Sequence, residues 1–224
     1  MDGNDNQNSL EEDSFSPAMD VESPLANGFE DWEYSMRRQM QEIVPGLFLG
    51  PYAAAMKSKL ECLQNAGITH IVCIRQSIEA NFIRPNFPQH FRYLVLDIAD
   101  SPTENIIKHF KQTKEFIDDC LALGGKVLVH GNGGISRSAA VVIAYVMEKY
   151  SLSCREAVAS VSMKRFCISL NDGFLNQLAE YEHIYRAQSL CDTSEAAFQN
   201  LLKRKRREDD FDSSAPDDWS AANS

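Results

Sequence analysis

The chain has 224 residues and a formal net charge of −10, with 44% hydrophobic and 24% charged residues, which suits one packed domain carrying polar tails. The acidic balance argues against nucleic acid as a general partner. No apolar run approaches the ~18 residues of a membrane span, and the acidic N-terminus lacks a signal-peptide pattern, so no membrane association is expected.

In chain order, residues 1–31 hold nine acidic residues and no Lys or Arg. That composition predicts a disordered acidic tail, assigned to residues 1–39. Pro45-Gly46 reads as a turn and residues 47–50 as a short strand. Residues 53–66 predict a helix stopped by Gly67. Residues 68–74 form a β-branched strand, residues 75–90 a proline-containing loop with room for a helical turn, and residues 91–98 the next strand. A loop over 97–102 follows. Ile106, Ile107, Phe110, Phe116, Ile117 and Leu121 recur at helical spacing, predicting a helix over 103–123 that ends at Gly124-Gly125. Val127 to Val129 read as a buried strand, and residues 138–150 as a helix apolar nearly all round. Two more helices are predicted over 153–163 and 171–189. This alternation indicates an α/β domain over residues 40–188, with a mainly parallel sheet and helices on both faces. Residues 189–224 read as a C-terminal tail with a basic run, Lys203, Arg204, Lys205, Arg206 and Arg207, and an acidic end.

The six cysteines are scattered and include no Cys-x-x-Cys pair, so no zinc site or disulfide framework is indicated; no metal or cofactor is expected. The most informative stretch joins the strand at 127–129 to the helix at 138–150. Its glycines let backbone N–H groups turn inward, and the helix start adds partial positive charge. Gly131, Asn132, Gly133, Gly134, Ile135, Ser136 and Arg137 are the candidate phosphate ligands, Arg137 contributing a two-pronged donor. A dinucleotide fingerprint fails at its sixth position, Ser136, and lacks the acidic residue expected about 20 residues on. No Gly-Lys-Ser/Thr ends the loop, which excludes a Walker A site.

His130, Gly131, five residues, Arg137 and Ser138 resemble the His-Cys-x5-Arg-Ser/Thr signature of the protein tyrosine phosphatase superfamily, and residues 134–139 resemble its dual-specificity branch. Residues 97–106 resemble the general-acid loop of that family, with Asp100 at the aspartate position. Residues 169–178 resemble its Ser-Pro-Asn-x-Gly-Phe-x-x-Gln-Leu segment, with Leu170 in place of proline and Asn171 as a brace for the loop or a helix cap. The resemblance implies the dual-specificity phosphatase fold. It also implies that His130, Ser138 and Asn171 support the loop.

The nucleophile position holds Gly131, which has no side chain to form a phosphoenzyme. No cysteine elsewhere has an arginine six positions on, so there is no second copy of the motif. Ser136 and Ser138 offer hydroxyls, but no base lies beside them in sequence. Asp100 then reads as a vestigial acid. Residues 36–50 and 74–82 resemble a pseudophosphatase group of the same branch that carries glycine at this position. That resemblance implies binding of proteins phosphorylated on tyrosine, threonine or serine without hydrolysis, as a competitor, scaffold or nuclear anchor in MAP kinase signalling. It further implies MAP kinases and an F-box ubiquitin-ligase adaptor as partners. Two alternatives stay open: an active phosphatase with a non-cysteine nucleophile, and a scaffold whose loop binds no phosphate. The basic run at 203–207 resembles a nuclear import signal, giving a cytoplasmic and nuclear expectation, and Ser213 and Ser214 are candidate kinase sites.

Overall fold

The computed structural model describes residues 33–191. Residues 1–32 and 192–224, with the basic run and Ser213 and Ser214, lie outside the described residues. Five strands form one sheet: β1 (Gln41–Val44), β2 (Leu47–Pro51), β3 (Ile68–Arg75), β4 (Arg92–Asp97) and β5 (Lys126–Gly131), in the order β1-β2-β5-β3-β4. β1 and β2 are antiparallel across the Pro45-Gly46 turn; every other pairing is parallel. The expected α/β architecture is therefore present, as a mixed sheet that is mostly parallel.

β5 is the middle strand, and Val127, Leu128 and Val129 are all completely buried. A strand covered on both faces needs an unbroken apolar run, which is why it carries no alternation. Its side chains divide between two cores. Val127 and Val129 join Val72 and Ile74 beneath the larger helical layer of α2 (Phe110–Ala122), α3 (Arg137–Tyr150), α4 (Cys154–Lys164) and α5 (172–191). Leu128 and Ile71 face the other side, where Leu63 of α1 (Leu60–Asn65) packs with Phe87 and Phe91. α3 is buried at every position from Arg137 to Met147, so its apolar circumference reflects burial from all sides.

Three expectations change. The helix expected over 53–66 is broken into 3-10 turns at Tyr52–Ala55 and Lys57–Lys59 before α1. Met56 is extended between them, and the Tyr52 amide donates to the Asn132 carbonyl, drawing this segment onto the glycine loop. The helix expected from residue 103 begins only with a 3-10 turn at Ile107–His109 and then α2. Gln177 of α5 is the cause: its amide accepts from the Ile106 N–H and donates to the Glu104 carbonyl, both at 2.8 Å, so these groups are satisfied outside a helix. The ordered body also reaches outward past residues 40 and 188. Residues Tyr34–Arg38 form a 3-10 helix, β1 was not foreseen, and α5 continues through residue 191.

Candidate functional site

The β5-to-α3 connection lies at the carboxyl end of the central strand, where ligands bind in open parallel sheets. It forms the floor of a cavity of about 620 Å³, walled by Arg37, Asp100, Ser169, Leu170 and Asn171. The cavity thus gathers residues from the N-terminal 3-10 helix, the loop after β4, the glycine loop and the start of α5. Ser136 stands at the N-cap of α3, yet its side chain caps nothing there. The first amides of a buried fourteen-residue helix are therefore open to an anion at its positive end. Gly134 has φ +66, and a Cβ on it would lie 2.4 Å from the Gly50 carbonyl oxygen, so the loop needs glycine there to lie against β2.

Arg137 is buried and its fork grips Glu79. Nη1 donates to Oε2 at 2.6 Å and Nη2 to Oε1 at 3.1 Å, while Nη1 also donates to the Ile98 carbonyl at 3.2 Å. These bonds take three of the five guanidinium donors. The Nε–H and one Nη2 hydrogen remain, a planar edge suited to two oxygens of a phosphate. The hydrogen bond from Arg137 holds the Glu79 carboxyl below the usual carboxylate range despite its burial.

Asp100 is tied down at the cavity rim. It accepts from the Ser136 hydroxyl at 2.7 Å and from the Asn171 side-chain amide at 3.0 Å, and its second oxygen stands 3.8 Å from Arg137 Nε. Asn171 does two jobs: its oxygen accepts from the Phe174 N–H at 2.9 Å, capping α5. Its bracing hydrogen bond goes to Asp100 and reaches the loop only through Ser136.

His130 is completely buried, and Nδ1 lies 3.4 Å from the Gly131 carbonyl, an acceptor, so Nδ1 carries the proton. Burial pushes its pKa down to about 4, leaving the ring neutral. The Ser138 hydroxyl is buried without a hydrogen-bond partner among the described residues. It lies 3.3 Å from where a Cβ on Gly131 would stand, and the next obstacle, the Ile74 carbonyl oxygen, is at 3.7 Å. A side chain at position 131 would fit, and the unpartnered hydroxyl faces the place it would occupy.

Two site residues escaped the sequence reading. Glu79 lay inside a segment whose resemblance was noted, but no local spacing ties it to Arg137, which is 58 residues away. Arg165, fully buried beside the loop, follows α4 in a stretch that looks like an ordinary helix end. Ser136 also gains a carboxylate neighbour, Asp100, that is 36 residues distant in sequence.

Residues 47–184 match the family described as dual specificity phosphatase, catalytic domain. The human serine/threonine/tyrosine-interacting protein is 69% identical over 159 residues, which are 71% of each chain. A crystal structure of the human tyrosine phosphatase-like serine/threonine/tyrosine-interacting protein superposes with a TM-score of 0.65 at 70% identity, covering 66% of this chain and 98% of that one. A mouse dual specificity phosphatase complexed with zinc tungstate gives 0.61 at 31% identity, covering 72% and 97%. With its glycine loop, buried arginine and aspartate-bearing loop in one cavity, the chain belongs to the dual specificity phosphatase family, in the group of the serine/threonine/tyrosine-interacting proteins.

Proposed function

We propose that this protein is a pseudophosphatase: it holds phosphorylated side chains of other proteins on loop 131–137 and does not hydrolyse them. One observation carries the reading. The cavity keeps its amides, the free edge of Arg137 and Asp100, while the position beneath them is Gly131, which offers no nucleophile. Cys73, on β3 beside His130, cannot substitute, because burial pushes its thiol up to about 12. Losing a thiolate also removes a negative charge that would face the bound phosphate. Tungstate, an oxyanion, is held by the mouse relative in its crystal. Competition, scaffolding or nuclear anchoring of phosphorylated MAP kinases, and regulation of an F-box ubiquitin ligase, follow from the family resemblance. The basic run at 203–207 is proposed to carry nuclear import.

A second reading rests on the hydrogen bond from Ser136 to Asp100, which puts a carboxylate within reach of a hydroxyl. A carboxylate is a weak base toward a hydroxyl, and Ser136 sits at the rim of the loop, so we rank it second. Both are tested on a small aryl phosphate with the natural chain, Gly131→Cys and Ser136→Ala. The expected result is no turnover without the cysteine and measurable turnover with it. Turnover by the natural chain that Ser136→Ala abolishes would overturn the pseudophosphatase. Binding is tested by titrating a phosphotyrosine peptide. Arg137→Lys is the informative variant, because it keeps a cation beside Glu79 but loses the fork. Unchanged affinity in Arg137→Lys would favour a scaffold whose loop binds no phosphate.

A further inference from the structure

The base of the phosphate cavity holds a group that the phosphate reading leaves idle. The Ser138 hydroxyl is 1% exposed, has no hydrogen-bond partner among the described residues, and lines the cavity floor with Gly131. A buried hydroxyl without a partner is costly, so its direction points to something it serves. It faces the position where the family signature carries a cysteine and this chain carries none. The room there is small. A Cβ on Gly131 would lie 3.3 Å from Ser138 Oγ and 3.7 Å from both Ser138 Cβ and the Ile74 carbonyl oxygen. Such a space takes a single heavy atom of the size of sulfur, not a phosphate.

The groups around that space are donors. Four successive loop carbonyls are held by other segments. That of Asn132 accepts from the Tyr52 N–H at 3.1 Å, and that of Ile135 from the Ser169 N–H at 3.0 Å. Between them, Arg165 donates through Nε to the Gly134 carbonyl at 2.8 Å and through Nη2 to the Gly133 carbonyl at 3.1 Å. The same guanidinium is braced behind by the Arg37 and Gln39 carbonyls, at 3.1 and 3.0 Å. In a planar trans peptide the N–H points opposite to the C=O, so the amides of Gly133, Gly134, Ile135 and Ser136 face away from those partners. Glu79 offsets the charge of Arg137, but fully buried Arg165 has no carboxylate among its partners here. Asp100, the cavity's one carboxylate among the described residues, stands at the rim on Ser136 and Asn171. A water at the base would have to donate as well as accept, whereas an anion uses the donors alone.

Resting on the phosphate-holding reading above, we infer that the space between Gly131 and Ser138 is a halide site, in which a chloride ion accepts from the Ser138 hydroxyl and competes with the phosphate group in loop 131–137. The ion stands where a thiolate sulfur would stand, and it supplies the negative charge that Gly131 leaves out. Two anions in contact inside a partly dry site repel strongly. Chloride and the phosphorylated side chain therefore weaken each other, by the same factor in both directions. Chloride concentration becomes a control on how firmly the loop holds its phosphoprotein.

The test has two arms, both on the full chain. Crystals are soaked in sodium bromide, and the anomalous signal of bromide is expected at the loop base, within hydrogen-bond reach of Ser138 Oγ. A phosphotyrosine peptide is then titrated in potassium chloride and in potassium gluconate, each at about 0.15 M, where screening is alike and gluconate is too large for the space. Binding is expected to be about threefold weaker in chloride. Gly131→Ala puts a methyl group in the space, and Ser138→Ala removes the donor. In each variant the difference between the two salts is expected to vanish, whatever happens to the affinity itself. A merely structural role for Ser138 would leave that difference in place. No bromide signal, or an ordered water at that position, overturns the site. A bromide signal with equal affinities in the two salts means binding at crystal concentration only and overturns the competition, as does a salt difference that both variants keep. If the peptide does not bind in gluconate and Arg137→Lys changes nothing, the phosphate-loop reading falls and the competition with it, while the bromide signal still decides whether the loop holds a halide.

Discussion

Arg137 and Glu79 show how a binding residue is made dependable. A buried guanidinium gripped by a buried carboxylate cannot swing away, so its remaining edge is aimed before any ligand arrives. The same burial makes the pair costly to break from one side. Glu79→Ala strands the Arg137 charge and is expected to lower stability by about 3 kcal/mol, measured by urea unfolding. It is also expected to weaken phosphopeptide binding although Glu79 lines no part of the cavity. His130 gives a pH signature. Its folded pKa, about 4, lies below the ordinary value of 6.5, so the unfolded chain takes up the proton first. Stability is therefore expected to fall by about 3 kcal/mol as pH drops from 6.5 to 4. Glu79, also depressed on folding, adds to the loss as pH falls through the ordinary carboxylate range. Unfolding curves collected across that range should be flatter for His130→Phe.

The elements around the site are fixed at their ends. α3 stops at Ser151, which has φ +55 and ψ 33 and whose N–H bonds the Met147 carbonyl. This left-handed cap favours glycine, so Ser151→Gly is expected to stabilise by about 1 kcal/mol in denaturant melts. α5 starts where the aspartate loop comes closest. A Cβ on Gly173 would lie 1.9 Å from the Pro102 carbonyl oxygen, a clash of backbone with side chain that no rotamer relieves. Gly173→Ala is expected to cost about 2 kcal/mol, to loosen the loop bearing Asp100, and to shift the amide signals of residues 97–105 in NMR spectra. The start of α4 was legible in sequence, a helix being expected from residue 153, and the structure closes it with both reciprocal bonds of a Ser153–Glu156 capping box. The start of α2 was not, because the group that displaced it, Gln177, lies on a helix 71 residues away.

For the whole molecule, β5 and α3 are the most deeply enclosed pieces, and the site hangs from the turn between them. Native-state hydrogen exchange is expected to find their amides the slowest in the chain, with the Tyr34–Arg38 segment opening much faster. The alternation of strands and helices, apart from β1, and the glycine-rich anion loop came from the sequence alone, and the family resemblance pointed to Asp100 and to Gly131 at the nucleophile position. The first two rest on residue type or on spacing within about ten positions, which periodicity and short motifs report directly. Only the tertiary structure decided which groups the loop leans on. Glu79 behind Arg137, Asp100 on Ser136 and Arg165 across to Arg37 are partners brought together by parallel strand pairing over long crossovers. An arginine followed by no nearby acid looks the same in sequence whether it is buried or exposed. Burial and the direction of its five donors are settled only when distant segments pack against it.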